Sequence, residues 1–442
     1  MKSRTFAATF LLICTAACGP ARGLATPTAV PSAIPGVLFV DPAQDLGPIS
    51  PYVYGSNFGP WTAIPMGMMD YATNAHITAL RFPGGEWGDG NDLQPYQIDQ
   101  FILFCQQMGA IPTISVRLLG GTPEAAAQLV KYVNVDKGYG VRYWSIGNEP
   151  DLYEDRPNVD YDTVLFNREW RAIAQAMKAV DPSIQLLGPE LHGTYTSNFA
   201  ANPKDVNGLD WMTEFLKANG DLVDVVTYHR YPFPLQMNGP NATIDQLRQD
   251  TPEWTRTVRY LRQLIQETTG RDIPIGITEA GSHYTPAVQG EATPDSFYNA
   301  IWWSDVLGRL IDENVLIVNQ WLLTNHGGGL GLIVSGSVRP TYYVYQMYAH
   351  FGTERLYASS DLPEVSVYAA RSGDGTLTIL VINLSDSEQH APLRVQDVTL
   401  SQAHVWLFDS SHTAEDMGQQ SFPPDGILDL PAQSVTLYAV AP

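Results

Sequence analysis

The sequence predicts an α/β protein: a (β/α)8 barrel, the TIM-barrel class, followed by a C-terminal β-sandwich. Three observations lead there. Between residues 50 and 352, eight short apolar runs alternate with longer runs of helical period. No glycine-rich phosphate loop follows any of those runs, which removes the doubly wound nucleotide-binding folds. From 353 to 442 the helical period disappears, and short apolar runs separated by turns take its place.

The predicted barrel strands are 52–56, 77–82, 111–116, 143–146, 184–187, 223–228, 273–278 and 315–321. Helices are expected over 97–107, 161–180, 254–268 and 295–312. The first of them spaces Ile98, Phe101, Ile102 and Cys105 on one face. Thr122, Pro123 and Glu124 open another, with threonine at the cap and proline in the first turn. In the tail, 365–370, 377–383, 404–408 and 435–440 read as strands, with turns such as Ser372, Gly373, Asp374 and Gly375 between them.

The beginning of the chain reads as a targeting segment. Lys2 and Arg4 precede an apolar run, 6–17, that is too short to span a bilayer. Thr15, Ala16, Ala17 and Cys18 resemble a bacterial lipobox with Cys18 as the lipid-bearing residue. Thr15 stands where such motifs carry leucine, so ordinary cleavage just downstream is the alternative. The expected organisation is therefore a signal peptide over 1–18, a linker over 19–36 and an N-terminal strand over 37–49 that joins the sandwich. The barrel then covers 50–352 and the sandwich 353–442. Such a chain is secreted or lipid-anchored at the cell surface, and it touches a membrane only through Cys18.

With 25 basic against 46 acidic residues the net charge is −21, which repels polyanions. Nucleic acid is thus excluded as a partner, and neutral substrates are favoured over sulfated or uronate-rich ones. Three cysteines make no disulfide framework, and Cys105 in its apolar run reads as a buried thiol. Nothing in the sequence speaks to oligomeric state.

Functional groups of a barrel collect where strands end. Those positions hold Asn57 after the first strand, Arg81 and Glu86 after the second, Arg117 after the third, and Asn148 and Glu149 after the fourth. Glu190 and His192 follow the fifth, His229 and Tyr231 the sixth, Glu279 the seventh and Trp321 the eighth. No HExxH or comparable ligand spacing occurs, so neither a metal nor another cofactor is expected, and no Gly-x-Ser-x-Gly elbow marks a serine hydrolase.

Residues 144–150, reading WSIGNEP, resemble the fourth-strand signature of clan A glycoside hydrolases, in which the glutamate of Asn-Glu-Pro is the acid/base. Residues 277–281, ITEAG, resemble the seventh-strand nucleophile motif of the same clan. Within the clan the likeness is mixed: 80–85, LRFPGG, is similar to α-L-arabinofuranosidases, and 147–151, GNEPD, to β-xylosidases and heparanase-like glucuronidases. Residues 49–55, ISPYVYG, are similar to arabinofuranosidase and endoglucanase-like members.

This resemblance implies a retaining glycosidase that cleaves an O-glycosidic bond of a polysaccharide or oligosaccharide by double displacement. Arabinofuranosidase, xylosidase and β-glucanase activities are the candidates. Glu149 is then the acid/base and Glu279 the nucleophile, their carboxyls roughly 5–5.5 Å apart. Arg81, and either His229 or Tyr231, are expected to hold Glu279. Asn148 would bind the hydroxyl beside the reacting carbon, and Trp321 would offer a stacking platform. Trp61 and Trp87 are lesser platform candidates, whereas Trp302 and Trp303 lie on a helix where core packing is expected. Burial and the charge of Glu279 are expected to keep Glu149 protonated at rest. Glu86, with Asp89 and Asp92, forms an acidic loop read as a solvated turn or substrate rim. Glu190 is a third carboxylate that competes for a catalytic role. The reading from another class is a non-catalytic carbohydrate-binding lipoprotein that keeps the barrel.

Overall fold

The computed structural model describes residues 34–156, 159–192, 202–236, 238–325 and 327–442. The expected signal peptide, Cys18 and nearly all of the expected linker lie outside the described residues. Strand β1 (Leu38–Pro48) precedes a closed parallel barrel. The barrel strands are β2 (Gly55–Asn57), β3 (Ala79–Phe82), β4 (Ile111–Val116), β5 (Tyr143–Ile146), β6 (Gln185–Leu191), β7 (Val225–Arg230), β8 (Ile275–Ala280) and β9 (Ile317–Gln320). Closure is made by β2 against β9, where Gly55 faces Asn319 and Ser56 faces Gln320.

Each strand alternates between two environments, as a pleated strand requires. Trp144, Leu186, Val226 and Val318 point outward into the large core beneath the helices. Their neighbours Tyr143, Leu187, Val225 and Ile317 form a separate cluster with Tyr52, which fills the barrel interior near the strand starts. Two residues further on, the inward positions turn polar: Ser145 follows Tyr143, and Thr227 and then His229 follow Val225. The barrel is plugged with hydrocarbon at one end and lined with hydrogen-bonding groups towards the other.

Nine α-helices lie among the described residues: α1 (Met69–Thr73), α2 (Trp87–Gly90), α3 (Pro95–Met108), α4 (Pro123–Val130), α5 (Thr163–Val180), α6 (Trp211–Asn219), α7 (Ile244–Thr269), α8 (Phe297–Asp312) and α9 (Pro340–Tyr348). The α4 cap is Thr122, whose side chain accepts from the Ala125 amide. On α3 the expected Ile98, Phe101, Ile102 and Cys105 form the buried face. Helix α7 begins ten residues ahead of its predicted start, at a capping box made by Thr243 and Gln246. Pro252 interrupts the sequence pattern but not the helix. The Arg248 carbonyl, which an amide at position 252 would otherwise engage, accepts from the Thr251 hydroxyl at 3.4 Å.

Beyond the hairpin of β10 (Ile333–Val334) and β11 (Ser337–Val338) come β12 (Glu354–Ser360), β13 (Val365–Arg371), β14 (Leu377–Asn383), β15 (Gln389–Val395), β16 (Gln402–Phe408), β17 (Glu415–Ser421), β18 (Ile427–Leu430) and β19 (Ser434–Val440). They form one nine-stranded sheet in the order β17-β16-β19-β14-β13-β12-β1-β15-β18. It curls over a core of Leu38, Leu356, Val367, Ile379, Ala391 and Leu430, so the sandwich is a single folded sheet. Strand β1 lies inside it, antiparallel to β12 and parallel to β15.

Helix α8 joins the two parts. It is buried nearly all round, as expected of a helix covered on both sides, and Trp302 and Trp303 belong to this packing. The Tyr368 hydroxyl of β13 donates to Asp305 Oδ1 at 2.6 Å, and its ring lies on Gly308, where a Cβ would come within 2.4 Å. In a free helix, glycine to alanine gains about 1 kcal/mol of helix propensity. Here the overpacking, typically about 1–3 kcal/mol, outweighs that gain. Gly308→Ala should therefore lower the thermal and urea midpoints, and a more stable variant would contradict the contact.

Candidate active site

Arg81 on β3 is 1% exposed, so its charge must be met from within the barrel. Its Nη1 donates to Glu279 Oε1 at 2.7 Å and to Asn57 Oδ1 at 3.1 Å. Its Nη2 donates to Asn148 Oδ1 at 2.9 Å and pairs with Glu190 Oε2 at 3.1 Å. The planar fork of one guanidinium thus gathers groups from four other strands or strand ends. Fixing Asn148 through its oxygen directs the amide nitrogen away from Arg81 as a donor.

Glu279, near the end of β8, receives three donors. Beside Arg81, the Gly85 amide donates to Oε1 at 2.8 Å and the Tyr231 hydroxyl to Oε2 at 2.8 Å. Gly85 has φ +65°, and a Cβ there would lie 2.6 Å from the Trp321 ring. Only glycine lets the chain pass between that indole and the carboxylate. The same left-handed turn points the amide inward and sends the next side chain out. Glu86 is accordingly exposed at the α2 cap, outside the network and in keeping with a solvated turn or rim.

Glu149 follows β5 after Gly147, whose φ is +80° and whose missing Cβ leaves room for Leu118. Glu149 itself is left-handed, φ 46°, a conformation that its surroundings must enforce. Its amide donates to the Glu190 carbonyl at 2.9 Å. The preceding Asn148 amide donates to the Tyr153 hydroxyl at 3.4 Å, and Tyr153 in turn donates to Asp89. Asp89 is buried and also receives Arg156 at 3.1 Å, so it braces the fourth-strand turn and is neither solvated nor part of a rim.

His229 joins the carboxylates. One ring nitrogen, Nδ1, lies 2.8 Å from Glu149 Oε1 and 3.7 Å from Glu279 Oε2; the other, Nε2, lies 3.1 Å from Glu190 Oε2. The expectation that His229 or Tyr231 holds Glu279 resolves onto Tyr231, because the shortest His229 contact is to Glu149. One oxygen each of Glu149 and Glu279 and one His229 nitrogen all lie within 4.8 Å of one another. Arg81, Tyr231 and the Gly85 amide already occupy Glu279, so the trio is balanced by protein donors.

Glu190 is the residue whose place the sequence leaves open. It sits at a bulge of β6 with φ 59° and is 0% exposed. Thr227 donates to its Oε1 at 3.0 Å and Thr278 to its Oε2 at 2.7 Å, alongside His229 and Arg81. Burial alone would raise this carboxyl, but Arg81 and the His229 bond outweigh it and hold it below its ordinary value. Glu190 is a buried anion shared by Arg81 and His229, out of reach of any substrate.

Burial would likewise raise Glu149, whose side chain is 20% exposed, yet the hydrogen bond and charge of His229 hold it below its ordinary value. The expectation of a Glu149 protonated at rest is therefore overturned by the adjacent imidazolium. Two residues on, burial, with the charge of Glu149 adding to it, pushes Asp151 up to about 8. Its Oδ1 accepts the His192 amide at 2.8 Å. It thus stays uncharged at neutral pH and adds no anion beside Glu149.

His229 moves the other way from an ordinary buried imidazole. Burial would lower it, but the charge of Glu279 and the bonds to Glu149 and Glu190 raise it from 6.5 to about 10. The folded chain keeps this proton in a window where the unfolded chain has released it. The resulting stabilisation is complete below about pH 6.5 and is lost as pH rises through 10. Nitrogen NMR should find both His229 ring nitrogens protonated at pH 8, and a neutral ring there would contradict the network.

The model of glycosyl hydrolases family 39 matches residues 128–405, from α4 to within β16. Heparanase of Rattus norvegicus is 24% identical over 285 residues, covering 60% of this chain and 49% of the relative. Beta-xylosidase of Geobacillus stearothermophilus is 23% identical over 273 residues, covering 55% and 47%. The chain spans about half the length of these curated relatives. Among solved structures, a bifunctional glucanase-xylanase from a metagenome library superposes with a TM-score of 0.71 at 20% identity, covering 92% of this chain and 99% of that one. The alpha-L-arabinofuranosidase of Thermotoga maritima gives 0.71 at 19%, covering 91% and 99%. Identities this low show a shared fold, whereas the family model covers well over half of the chain: it belongs to glycosyl hydrolases family 39.

Proposed function

We propose that the chain is a retaining glycosidase in which Glu279 is the nucleophile and Glu149 the acid/base. The observation that carries this reading is the closeness of the two carboxyls, whose nearest oxygens lie within 4.8 Å about one imidazole nitrogen. A retaining pair is spaced about 5–5.5 Å, whereas an inverting pair needs about 6.5–9.5 Å to admit water. Glu279 is also fixed from both oxygens, as an attacking group should be.

In the first half of the reaction Glu279 attacks the anomeric carbon and Glu149 gives a proton to the departing oxygen. Sugar filling the site removes water from Glu149 and deepens its burial, the influence that raises its carboxyl. In the second half Glu149 takes a proton from water, and the resting preference for the carboxylate suits that role. Asn148 presents its amide to the hydroxyl beside the reacting carbon, and Trp321 carries the sugar on its ring face. The substrate is a neutral polysaccharide or an oligosaccharide released from one, with arabinofuranosides, xylosides and β-glucans as the candidate classes. An exported or lipid-anchored protein meets such polymers outside the cell, which fits the signal-like residues 1–18.

A panel of aryl glycosides with the product anomer followed by NMR tests this directly. Retention is expected, and inversion would sink the scheme. Glu279→Ala should lose activity on every substrate by several orders of magnitude. Glu149→Ala should lose most on poor leaving groups and be rescued by azide on activated ones. Wild-type rates in both variants would refute the assignment. Because sugar raises Glu149 only in the complex, the basic limb of kcat should lie at higher pH than that of kcat/KM. Coincident limbs would show that substrate does not control the Glu149 proton.

A further inference from the structure

Trp61 lies on the loop between β2 and α1, and 39% of it is exposed. Its indole folds back onto its own loop. A Cβ on Gly59 would fall 1.9 Å from the ring, so that glycine exists to let the indole rest on bare backbone. The loop is in turn tied to the site: the Phe58 amide donates to the Arg81 carbonyl at 3.0 Å, and the Gly84 amide to the Phe58 carbonyl at 3.0 Å. An indole held this way gives up little conformational freedom when a ligand arrives.

The Trp61 ring stands nearly parallel to Trp321, at 26° with centroids 6.3 Å apart. The two indoles are thus near neighbours with roughly parallel faces, an aromatic pair beside the nucleophile. Gly85 touches Glu279 through its amide and Trp321 through its Cα, and Trp321 adjoins Trp61. A chain of contacts thus runs from Glu279 through Gly85 and Trp321 to Trp61, whereas the side chain of Glu149 bonds to His229. If Glu279 carries the glycosyl group, a sugar there would rest on Trp321 and the next unit on its glycone side would reach Trp61.

We propose that Trp61 is the floor of a second sugar subsite, so that the enzyme grips at least two consecutive neutral sugar units on the glycone side of the bond it cleaves. The apolar C–H face of the second unit packs on the exposed indole face, and the net acidity of the chain selects against charged units there. This inference rests on the retaining-glycosidase reading above, with Glu279 as nucleophile.

The test compares two 4-nitrophenyl glycosides of the sugar found by the panel, one carrying a single glycone unit and one carrying two. For xylose these are 4-nitrophenyl β-xyloside and β-xylobioside. In the wild type the longer substrate should have the higher kcat/KM. Trp61→Ala should reduce the ratio of the longer to the shorter about tenfold, mainly through KM, and Trp61→Phe should restore most of it. An unchanged ratio, or equal losses on both substrates, would overturn the subsite and leave Trp61 as a prop for Trp321. The two readings fail separately. Full activity in Glu279→Ala removes the nucleophile, whereas an inactive Glu279→Ala beside an unchanged Trp61→Ala ratio removes only the subsite.

Discussion

The site depends on one constraint, the balance of charge inside a closed barrel. Glu149, Glu190 and Glu279 face two cations, Arg81 and His229, at a largely buried strand end. Isolated carboxylates could not remain there, and pairing with hydrogen-bonded cations is what permits them. Glu190 is the hinge of the balance because both cations touch it, which links the group holding Glu279 to the group holding Glu149. The anions still outnumber the cations by one. Under the proposed reaction that surplus is cancelled in either of two ways, by a proton on Glu149 or by a glycosyl group on Glu279. These are the two states that a double displacement alternates between.

The backbone is shaped to meet this requirement. Inward strand positions run from hydrocarbon near Tyr143 and Val225 to hydroxyl and charge at Thr227 and His229, so the buried ions lie above a dry plug. The left-handed residues Glu149 and Glu190 sit where their strands end, and each turns a carboxyl that an extended strand would aim elsewhere. The bond from the Glu149 amide to the Glu190 carbonyl couples the two turns. The curled sheet braces the outside through α8 and Tyr368, far from the chemistry.

Much of this architecture is legible in the sequence, and the exceptions share physical causes. Strands 111–116 and 143–146 stand where the apolar runs place them, because strands buried on both faces read as continuous hydrocarbon. The start of α7 is obscured by Pro252, whose effect is offset by a threonine hydroxyl that no periodicity reveals. At the site, the side chains that carry charge are readable, whereas contributions of the main chain are not. Gly85 acts through its amide while its neighbour Glu86 points to solvent. Asn57 stands among the strand-end residues, yet its bond to Arg81 is a property of the β2–β3 register. Glu190 reads as a rival carboxylate because its partners, Thr227 and Thr278, come from two other strands.

A Glu149 held below its ordinary value looks at first like the wrong acid. The proposed double displacement, however, uses this residue twice with opposite requirements, and a fixed environment can favour only one of them. The resting barrel favours the base, through the His229 proton, which the charge of Glu279 helps to retain. In the proposed scheme, esterification of Glu279 removes a neighbouring negative charge, which favours the Glu149 carboxylate just as it must draw a proton from water. The acid form has to be supplied by something present only in the first half, and the sugar that excludes water from Glu149 is such an agent. On the proposed scheme the proton on Glu149 is thus tied to occupation of the site, so an empty barrel does not stand loaded with an acid it has nothing to use on.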